Sequence, residues 1–262
     1  MPLIDNHIHA GDKYGPVENA IEKMDSLGVA HAVIVQHVGQ YNNSYLAQCL
    51  ERYPSRFWIV AMVDLALPDA PKTLNTVLKK DKLDGVRLPA ASLSRRPDVW
   101  DMAVECRGVI SVMGLQPRDL GQIERLKKFL DDNPKARMKI EHLGHPDPAE
   151  PPPYITYQRV MELASHKGVY LQLSAPYTHT KKGYPYEDML PFVEMAKKQF
   201  GPFHLIWGSS YPPVEMYMTY AQSLAWVDTL GLTEFQKNEV LWGNAVRLWD
   251  PRKKKVGGEE EK

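Results

Sequence analysis

The stretch LIDNHIHAG, residues 3–11, decides between two folds that the rest of the chain leaves open. It reads as a strand that begins with Leu3 and Ile4 and ends in a pair of histidines. An open doubly wound sheet usually carries a glycine-rich phosphate-binding loop after its first strand. Here the strand ends in His-Ile-His-Ala-Gly instead, so the stretch favours a closed barrel over an open sheet.

Short β-rich runs recur along the whole chain, and segments with helical spacing separate them. The eight predicted strands are residues 3–9, 32–36, 57–64, 85–88, 109–115, 138–142, 169–174 and 204–209. Parallel strands need right-handed crossovers, and eight such units can curl into a barrel of ~250 residues. We therefore predict an α/β fold, a single-domain (β/α)8 TIM barrel over residues 1–250, followed by a charged, disordered tail over residues 251–262.

The intervals between the predicted strands have the apolar spacing of one buried helix face. In the first interval Val17, Ala20 and Met24 recur at helical spacing, and Gly28 stands where a helix would stop. After the last strand, Thr233 and Gln236 form the pattern of a capping box that opens a final helix. Strand and helix thus alternate to the end of the predicted barrel.

The composition excludes several classes of partner. The 32 basic and 32 acidic side chains cancel, so no broad field favours nucleic acid or an anionic membrane. The first residues enter an apolar strand at Leu3 and Ile4 without the basic region and long apolar core of a signal peptide, so we expect none, and we expect no membrane span because no run reaches ~20 apolar residues. Cys49 and Cys106 both lie on predicted helix faces, which favours buried thiols in a reducing compartment. We expect a cytoplasmic protein without nucleic-acid or membrane partners.

Two histidines lie two residues apart at the end of the first predicted strand. His7 and His9 project to the same side of a strand, so both imidazoles can converge on one metal ion or one oxyanion. A pair of surface histidines at a strand edge is the alternative. Because side chains at the carboxyl ends of barrel strands face the mouth, we predict that both histidines are functional.

A third histidine stands where the sixth predicted strand gives way to a loop. Counted by alternation from Ile140, His142 points in the same direction as that residue. We predict that His142 orients the substrate or acts as acid or base. His145 lies beyond Gly144, so it can belong to the loop or bind substrate.

The fourth predicted strand carries Arg87 near its carboxyl end. A buried arginine costs free energy unless a carboxylate pairs with it. That carboxylate can belong to the substrate or to a neighbouring residue of the chain. We predict that Arg87 binds a substrate carboxylate, with a structural ion pair as the alternative.

Polar and aromatic loop residues complete the candidate site. Gln36 ends the second predicted strand, and Tyr177, His179, Tyr184 and Tyr186 follow the seventh. Such residues can contact a ligand at the mouth, although aromatic loop residues also pack against one another. Gln36, Tyr177 and His179 are our candidates for substrate binding.

Four segments resemble the amidohydrolase-related family, which is the amidohydrolase 2 branch of the amidohydrolase superfamily. They are residues 4–11, 139–146, 205–213 and 242–249, and their order and spacing cover nearly the whole chain. The family holds carboxymuconate-semialdehyde and resorcylate decarboxylases, and lactonases that act on pyrone dicarboxylates, muconolactones and sugar lactones. The resemblance implies a barrel with a histidine pair on strand one, matched by His7 and His9, and a histidine that ends strand six, matched by His142.

The chain departs from the family's motif on the eighth strand. The motif usually reads Trp-Gly-Ser-Asp-Tyr-Pro, whereas residues 207–212 read WGSSYP. Ser210 therefore stands where the resemblance implies an aspartate that binds metal, acts as general base, or does both. A serine hydroxyl has no proton affinity near neutral pH and is a poor metal ligand. The departure leaves three explanations: another base such as a histidine, a changed reaction, or a substitution introduced to block turnover.

A second departure concerns the metal ligands that the resemblance implies. Metal-dependent members carry a histidine on strand five, where residues 113–116 read MGLQ. His7, His9 and His142 could still hold zinc through three nitrogens and a water. Metal-free lactonases of the family bind an anionic lactone with histidines and arginine. One divalent metal, zinc or manganese, and a metal-free site are therefore equal expectations.

These observations lead to the hypothesis of a hydrolase that acts on a small carboxylated ring compound, a lactone of aromatic or sugar catabolism. His7, His9 and Arg87 would bind and polarise its carbonyl and carboxylate groups, and water would attack near Ser210. Tyr211, beside that serine, is a further candidate for substrate binding. The alternatives are a metal-dependent nonoxidative decarboxylase of an aromatic or muconate-type acid, and a barrel that binds a ligand without turnover. The resemblance also suggests a homodimer.

Overall fold

Eight parallel strands form one sheet in the computed structural model, which describes residues 2–180 and 182–249. The strands are β1 (Leu3–Ile8), β2 (Val29–Val35), β3 (Phe57–Ala61), β4 (Gly85–Pro89), β5 (Val109–Met113), β6 (Arg137–Ile140), β7 (Val169–Leu173) and β8 (Leu205–Trp207). Each strand pairs in parallel with the next one in chain order. This is the strand order that the sequence predicts.

The first and last strands meet and nearly close the sheet into a barrel. Ile8 forms a parallel bridge with Tyr211, which follows β8. The backbone N–H of Ser210 donates to the carbonyl of His7 at 2.8 Å, and the N–H of His9 donates to the carbonyl of Tyr211 at 2.8 Å. The predicted (β/α)8 barrel is thereby confirmed.

Helices follow every strand and cover the outside of the barrel. They are α1 (Val17–Ser26), α2 (Ser44–Arg52), α3 (Ala70–Asn75), α4 (Pro97–Glu105), α5 (Leu120–Asp132), α6 (Ile155–Met161), α7 (Leu190–Phe200), α8 (Tyr220–Ala225), α9 (Glu234–Asn238) and α10 (Asn244–Trp249). The residues Thr76–Lys80 and Glu239–Gly243 continue α3 and α9 as π-helical turns. Thr233 and Gln236 form the predicted capping box at the start of α9.

Apolar side chains pack in two layers, one on each face of the sheet. Ile8, Ile34 and Ile59 belong to the larger cluster, which includes the buried faces of the helices. Ile4 and Ile206 belong to a smaller cluster that includes residues of α10. Trp249 of α10 donates from Nε1 to the Oδ1 atom of Asn6 at 2.9 Å. α10 therefore covers the amino-terminal end of the barrel and leaves the carboxyl ends of the strands open to ligands.

Several strands end earlier than the alternation of side chains predicts. β3 ends at Ala61 instead of 64, β6 at Ile140 instead of 142, and β8 at Trp207 instead of 209. In each case the extra predicted residues leave the ladder at the carboxyl end, where the backbone turns into a loop. Sequence alternation continues into such turns, so it cannot mark the point at which pairing stops.

The prediction of free thiols is confirmed within the described part of the chain, and burial is confirmed for Cys49 alone. Cys49 is a buried free thiol, and Cys106 is a half-buried free thiol. None of the helices among the described residues is long and apolar enough to cross a membrane. The predicted tail, residues 251–262, lies outside the described residues.

Candidate active site at the barrel mouth

The two histidines of β1 converge as predicted. Their Nε2 atoms lie 3.2 Å apart, and their ring centroids lie 4.9 Å apart in an edge-to-face arrangement. The Nδ1 atom of His9 lies 2.6 Å from the carbonyl oxygen of Val35. Since a carbonyl can only accept, Nδ1 of His9 carries the proton, and the lone pair of the neutral ring is on Nε2. This lone pair points at His7.

An irregularity in β1 brings both rings to the same cavity. The register with β2 shifts between Asp5 and Ile8. The Oδ1 atom of Asp5 accepts the N–H of His7 at 3.0 Å and the N–H of Ser209 at 2.9 Å, so one carboxylate ties β1 to the end of β8. Burial raises the pKa of Asp5 to about 6 despite these hydrogen bonds. The bulge and its anchor position the histidines beside Ser210.

His142 joins the pair by a different route from the predicted one. It follows β6 with a φ of 51°, and Leu143 has a φ of 55°. The residue is therefore in a left-handed turn, and the count of alternation from Ile140 does not apply to it. Its ring centroid lies 5.0 Å from that of His7, and its Nδ1 atom lies 2.9 Å from the Oγ atom of Ser174. The structure thus brings His142 to the site through backbone strain rather than strand geometry.

A buried ion pair borders the site on the opposite side. Nε and Nη2 of Arg87 donate to the carboxylate of Glu141 at distances between 2.7 and 3.2 Å. The Oγ atom of Ser111 donates to the same carboxylate at 2.7 Å, and Nη1 of Arg87 donates to the carbonyl of Gln36 at 3.3 Å. Arg87 therefore has a carboxylate partner within the chain, which is the alternative that the sequence left open.

The charges of these groups follow from burial and from each other. Burial opposes ionisation of Glu141, but the guanidinium of Arg87 and the nearby imidazoles outweigh it and hold the pKa of this carboxyl well below its usual value. Burial also lowers the pKa of His7 and His142 well below the ordinary value for histidine, although Glu141 opposes this shift. The pKa of His9 falls to about 3 by burial and by the charge of Arg87. The three imidazoles are consequently neutral at physiological pH.

Ser210 lies beside the histidines with its hydroxyl free. Its Oγ atom is buried and makes no hydrogen bond with another described residue. Its φ of 62° is unusual for serine and belongs to the turn that closes the barrel. A buried hydroxyl without a partner is costly, and such groups often have a functional role.

Tyrosines from several loops surround Ser210. The rings of Tyr177 and Tyr217 are stacked with centroids 4.3 Å apart and planes within 11° of each other. Burial raises the pKa of Tyr177, and interaction with Ser210 partly opposes this effect while Tyr217, Tyr186 and Tyr14 add to it. Tyr14 also stacks on His9, with ring centroids 4.9 Å apart. The predicted position of Tyr177 at the mouth is thereby supported.

Two further candidates have structural contacts instead of a free face. The side chain of Gln36 donates from Nε2 to the carbonyl of Asn42 at 3.0 Å and so holds the loop after β2. The ring of Tyr211 packs edge-to-face on Tyr220 of α8 and belongs to the cluster that includes the helices. These contacts place the ring of Tyr211 on the helix side of the sheet, so its predicted role in substrate binding is not supported.

His145 and His179 extend the group of imidazoles towards the loops. Their rings lie 5.0 Å apart, and the ring of His145 lies 5.8 Å from that of His142. Nε2 of His179 donates to the carbonyl of His142 at 3.1 Å, and burial lowers its pKa to about 4. Nε2 of His145 is buried without a hydrogen-bond partner among the described residues. His179 therefore supports the strained turn of His142, while His145 keeps one nitrogen available.

Sequence reasoning missed Glu141 and Lys139, two buried charges on β6 and its end. Lys139 donates from Nζ to the carbonyl of Asn6 at 2.9 Å, and burial lowers its pKa to about 8. The spacing of two residues between Lys139 and Glu141, opposite a strand that carries Arg87, was a usable signal. A buried charge needs a partner of opposite sign, and β4 and β6, which both pair with β5, bring Arg87 and Glu141 into the same interior.

Three described side chains offer atoms that could hold a metal ion together. One ligand atom each from His7, Glu141 and His142 lies within 4.8 Å of the others. His9 lies close to His7, with 3.2 Å between their Nε2 atoms, but it does not belong to this group. The predicted set of His7, His9 and His142 is therefore not brought together around one ion, and the carboxylate of Glu141 takes the place of His9. His7 and His142 are compatible with zinc, while the charge of Glu141 is already balanced by Arg87.

Comparisons with known proteins agree with this architecture. A family model for amidohydrolases matches residues 13–250. An L-fucono-1,5-lactonase from Burkholderia ambifaria is 26% identical over 216 residues, which are 77% of this chain and 72% of that protein.

Two solved structures are similar over nearly their whole length. One is a probable 2-pyrone-4,6-dicarboxylic acid hydrolase from Acinetobacter baumannii with citric acid bound, with a TM-score of 0.78 and 21% identity over 95% of this chain and 99% of that chain. The other is an amidohydrolase from Burkholderia multivorans with bound zinc, with a TM-score of 0.76 and 19% identity over 95% and 99% of the two chains. At these identities the likeness supports the barrel fold.

Proposed function

Because the chain belongs to the amidohydrolase family, we propose that it hydrolyses a lactone ring at the mouth of its barrel. The observation that carries the proposal is the convergence of neutral imidazoles beside the free hydroxyl of Ser210, with Nε2 of His7 and Nε2 of His9 only 3.2 Å apart. The likeness to an L-fucono-1,5-lactonase supports a cyclic ester as substrate.

His142 is the group that we assign to proton transfer. Ser174 can donate to its Nδ1 atom or accept from it, so the ring can hold its proton on either nitrogen. Nε2 of His142 lies 3.7 Å from the carboxylate of Glu141, which stabilises the imidazolium formed when Nε2 takes a proton from water. The same proton can then pass to the ring oxygen that leaves. His142 thus takes over the role that an aspartate on strand eight has in the family pattern.

The Ser210 hydroxyl binds the carbonyl group of the lactone, and the histidines of β1 line the cavity beside it. A hydroxyl cannot act as base near neutral pH, but it donates a hydrogen bond to an oxyanion. The Ser210 hydroxyl is buried, makes no geometrically defined hydrogen bond with a described residue, and interacts with the hydroxyl of Tyr177, so it needs little reorganisation to do so. His9 is fixed by its hydrogen bond to Val35, and it in turn orients His7.

Zinc or manganese would be held by His7, Glu141 and His142, the described side chains whose ligand atoms lie within 4.8 Å of one another. When bound, the metal would supply a Lewis acid for the lactone carbonyl, and His142 would then be a ligand instead of the acid–base group. The homodimer and the cytoplasmic location remain predictions.

The proposal is tested with purified protein and a panel of γ- and δ-lactones that includes L-fucono-1,5-lactone. Acid release is followed with a pH indicator after treatment with a chelator, and again with added zinc or manganese. We expect ring opening, and we expect His142→Asn to lower kcat/KM by roughly 10²- to 10⁴-fold because it removes the acid–base group.

His166→Asn is the matched control, since His166 precedes β7 at the opposite end of the barrel and pairs with Asp131. It should leave kcat/KM unchanged. Failure to open any lactone at any pH, with or without metal, would overturn the proposal. Release of carbon dioxide from aromatic acids that requires added metal would instead favour a nonoxidative decarboxylase.

A further inference from the structure

We propose that the lactone opened at this site is uncharged and carries an aromatic or alkyl face, which the stacked pair Tyr177–Tyr217 binds. This inference rests on the proposed lactone hydrolysis and names its substrate class. It replaces the carboxylated substrate that the sequence predicts.

The buried cations behind the site are already used within the chain. Arg87 makes three contacts with the carboxylate of Glu141 and a fourth with the carbonyl of Gln36. Lys139 donates to the carbonyl of Asn6. A substrate carboxylate would therefore meet a neutral ion pair and would lose its hydration without gaining a countercharge.

Two arginines of the outer loops are paired as well, while Nζ of Lys13 lies 5.3 Å from the ring centroid of Tyr14. Arg96 pairs with Asp98 after β4, and Arg118 pairs with Asp147 across the loops that follow β5 and β6. Both pairs are partly exposed, and in each the arginine already binds a carboxylate of the chain. Among the described residues, the buried cation Arg87 and the loop arginines Arg96 and Arg118 on this half of the mouth are therefore already paired.

The other half of the mouth is aromatic. Tyr14 follows β1, Tyr177 follows β7 and Tyr217 follows β8, and these three strands are neighbours because β8 meets β1. Tyr217 is 55% exposed. The hydroxyl of Tyr186 donates to the backbone carbonyl of Tyr217 at 3.4 Å. The stack of Tyr177 and Tyr217 therefore forms a supported wall beside Ser210.

Loops that follow β8 and β2 also carry exposed apolar side chains. Met216 is 74% exposed next to Tyr217, and Val38 and Tyr41 are 59% and 42% exposed in the loop after β2. Large exposed apolar groups that adjoin a polar cavity are typical of a binding surface for an apolar ligand. A flat or apolar substituent can pack on these residues while its ester carbonyl reaches the histidines.

The experiment compares lactones that share a ring size but differ in their face and charge. Dihydrocoumarin has a fused benzene ring, δ-valerolactone lacks it, L-fucono-1,5-lactone has hydroxyl groups, and 2-pyrone-4,6-dicarboxylate has two charges. We expect the highest kcat/KM for dihydrocoumarin and the lowest for the dicarboxylate. Tyr217→Ala should lower the ratio of kcat/KM for dihydrocoumarin to kcat/KM for δ-valerolactone by roughly threefold to tenfold, which is the effect of one aromatic pair.

Two variants separate stacking from folding. Tyr217→Phe should keep the ratio, because the ring face is retained. Phe235→Ala removes a ring that is also 55% exposed, but on α9 outside the mouth, and should leave the ratio unchanged. The highest kcat/KM for the dicarboxylate or for the fuconolactone, or an equal ratio in Tyr217→Ala, would overturn the inference.

Calorimetric binding keeps this test separate from the proposed reaction. Coumarin, which resists hydrolysis, should bind the parent protein and bind Tyr217→Ala more weakly, whereas 2-pyrone-4,6-dicarboxylate should bind more weakly than coumarin to both. If no lactone is opened but this order of binding is found, only the proposed reaction fails. If the dicarboxylate binds more tightly than coumarin, the inference on substrate class fails.

Discussion

The two sides of the site differ in how completely their polar groups are paired. On the side of β4, β5 and β6, every oxygen of the Glu141 carboxylate accepts hydrogen bonds from Arg87 or Ser111. On the side of β1 and β8, Nδ1 of His7 and Oγ of Ser210 are buried and make no hydrogen bond with the described residues. The comparison suggests that the first side is a support and that the second side is where a substrate is bound.

The buried ion pair between Arg87 and Glu141 can be tested by removing one of its charges. Glu141→Gln leaves the guanidinium of Arg87 buried without a countercharge, so we expect the free energy of unfolding to fall by about 3–5 kcal/mol. Urea denaturation of the variant and the parent measures this loss. The control is Glu162→Gln, because Glu162 pairs with Lys127 at the surface, where an ion pair contributes little.

A loss of less than about 1 kcal/mol in Glu141→Gln would contradict the view that this side is a support, since an unpaired buried charge should cost more. The double variant Arg87→Met with Glu141→Leu should recover part of the lost stability, because it leaves no charge unpaired.

The other side can be tested with two neighbouring serines. Ser210→Ala removes a hydroxyl that makes no hydrogen bond in the fold, so we expect kcat to fall by about 10²-fold at nearly unchanged stability. Ser209→Ala should instead lower the free energy of unfolding by about 1 kcal/mol, because its hydroxyl accepts the N–H of Tyr211 at 3.0 Å. Steady-state kinetics and thermal denaturation of both variants measure the two effects.

Ser210→Asp distinguishes the assigned roles more sharply. We expect it to lower kcat as well, because a carboxylate cannot donate a hydrogen bond to an oxyanion. A large gain of activity would show that the site lacks a base, and His142 would then lose its assigned role.

Acid should lower the free energy of unfolding through the buried histidines, while the ion pair between Arg87 and Glu141 persists. Below pH 6.5 the unfolded chain protonates its histidines, whereas His7, His9 and His142 stay neutral in the fold because burial lowers their pKa. Each of these histidines therefore lowers the free energy of unfolding by about 1 kcal/mol between pH 7 and 5.5. Asp5 opposes this with a gain of up to about 1 kcal/mol, because its raised pKa of about 6 favours protonation in the fold.

His179, whose pKa burial lowers to about 4, adds a similar loss, and the lowered pKa of His145 adds a further one. The net loss in the free energy of unfolding, about 3 kcal/mol or more, is measured by urea denaturation at the two pH values in the presence of a chelator. Glu141 adds nothing over this range, since its pKa lies well below the usual value and it stays ionised. His7→Asn should have a shallower dependence on pH than the parent. An equal dependence would mean that His7 is protonated in the fold.

The sequence by itself determined the number and order of the strands and the convergence of His7 and His9. Both follow from short-range rules, since alternation along a strand and helical spacing between strands depend on neighbouring residues. It also determined which position departs from the family pattern, because WGSSYP is read directly from residues 207–212.

Only the tertiary structure decided which polar groups are paired. Arg87 and Glu141 are 54 residues apart in the chain, and their contact depends on β4 and β6 facing one interior. His142 reaches the site through a left-handed turn, and Tyr211 packs against Tyr220 on the helix side. A buried charge takes the partner that closure of the barrel brings near, and that partner is not specified by the local sequence.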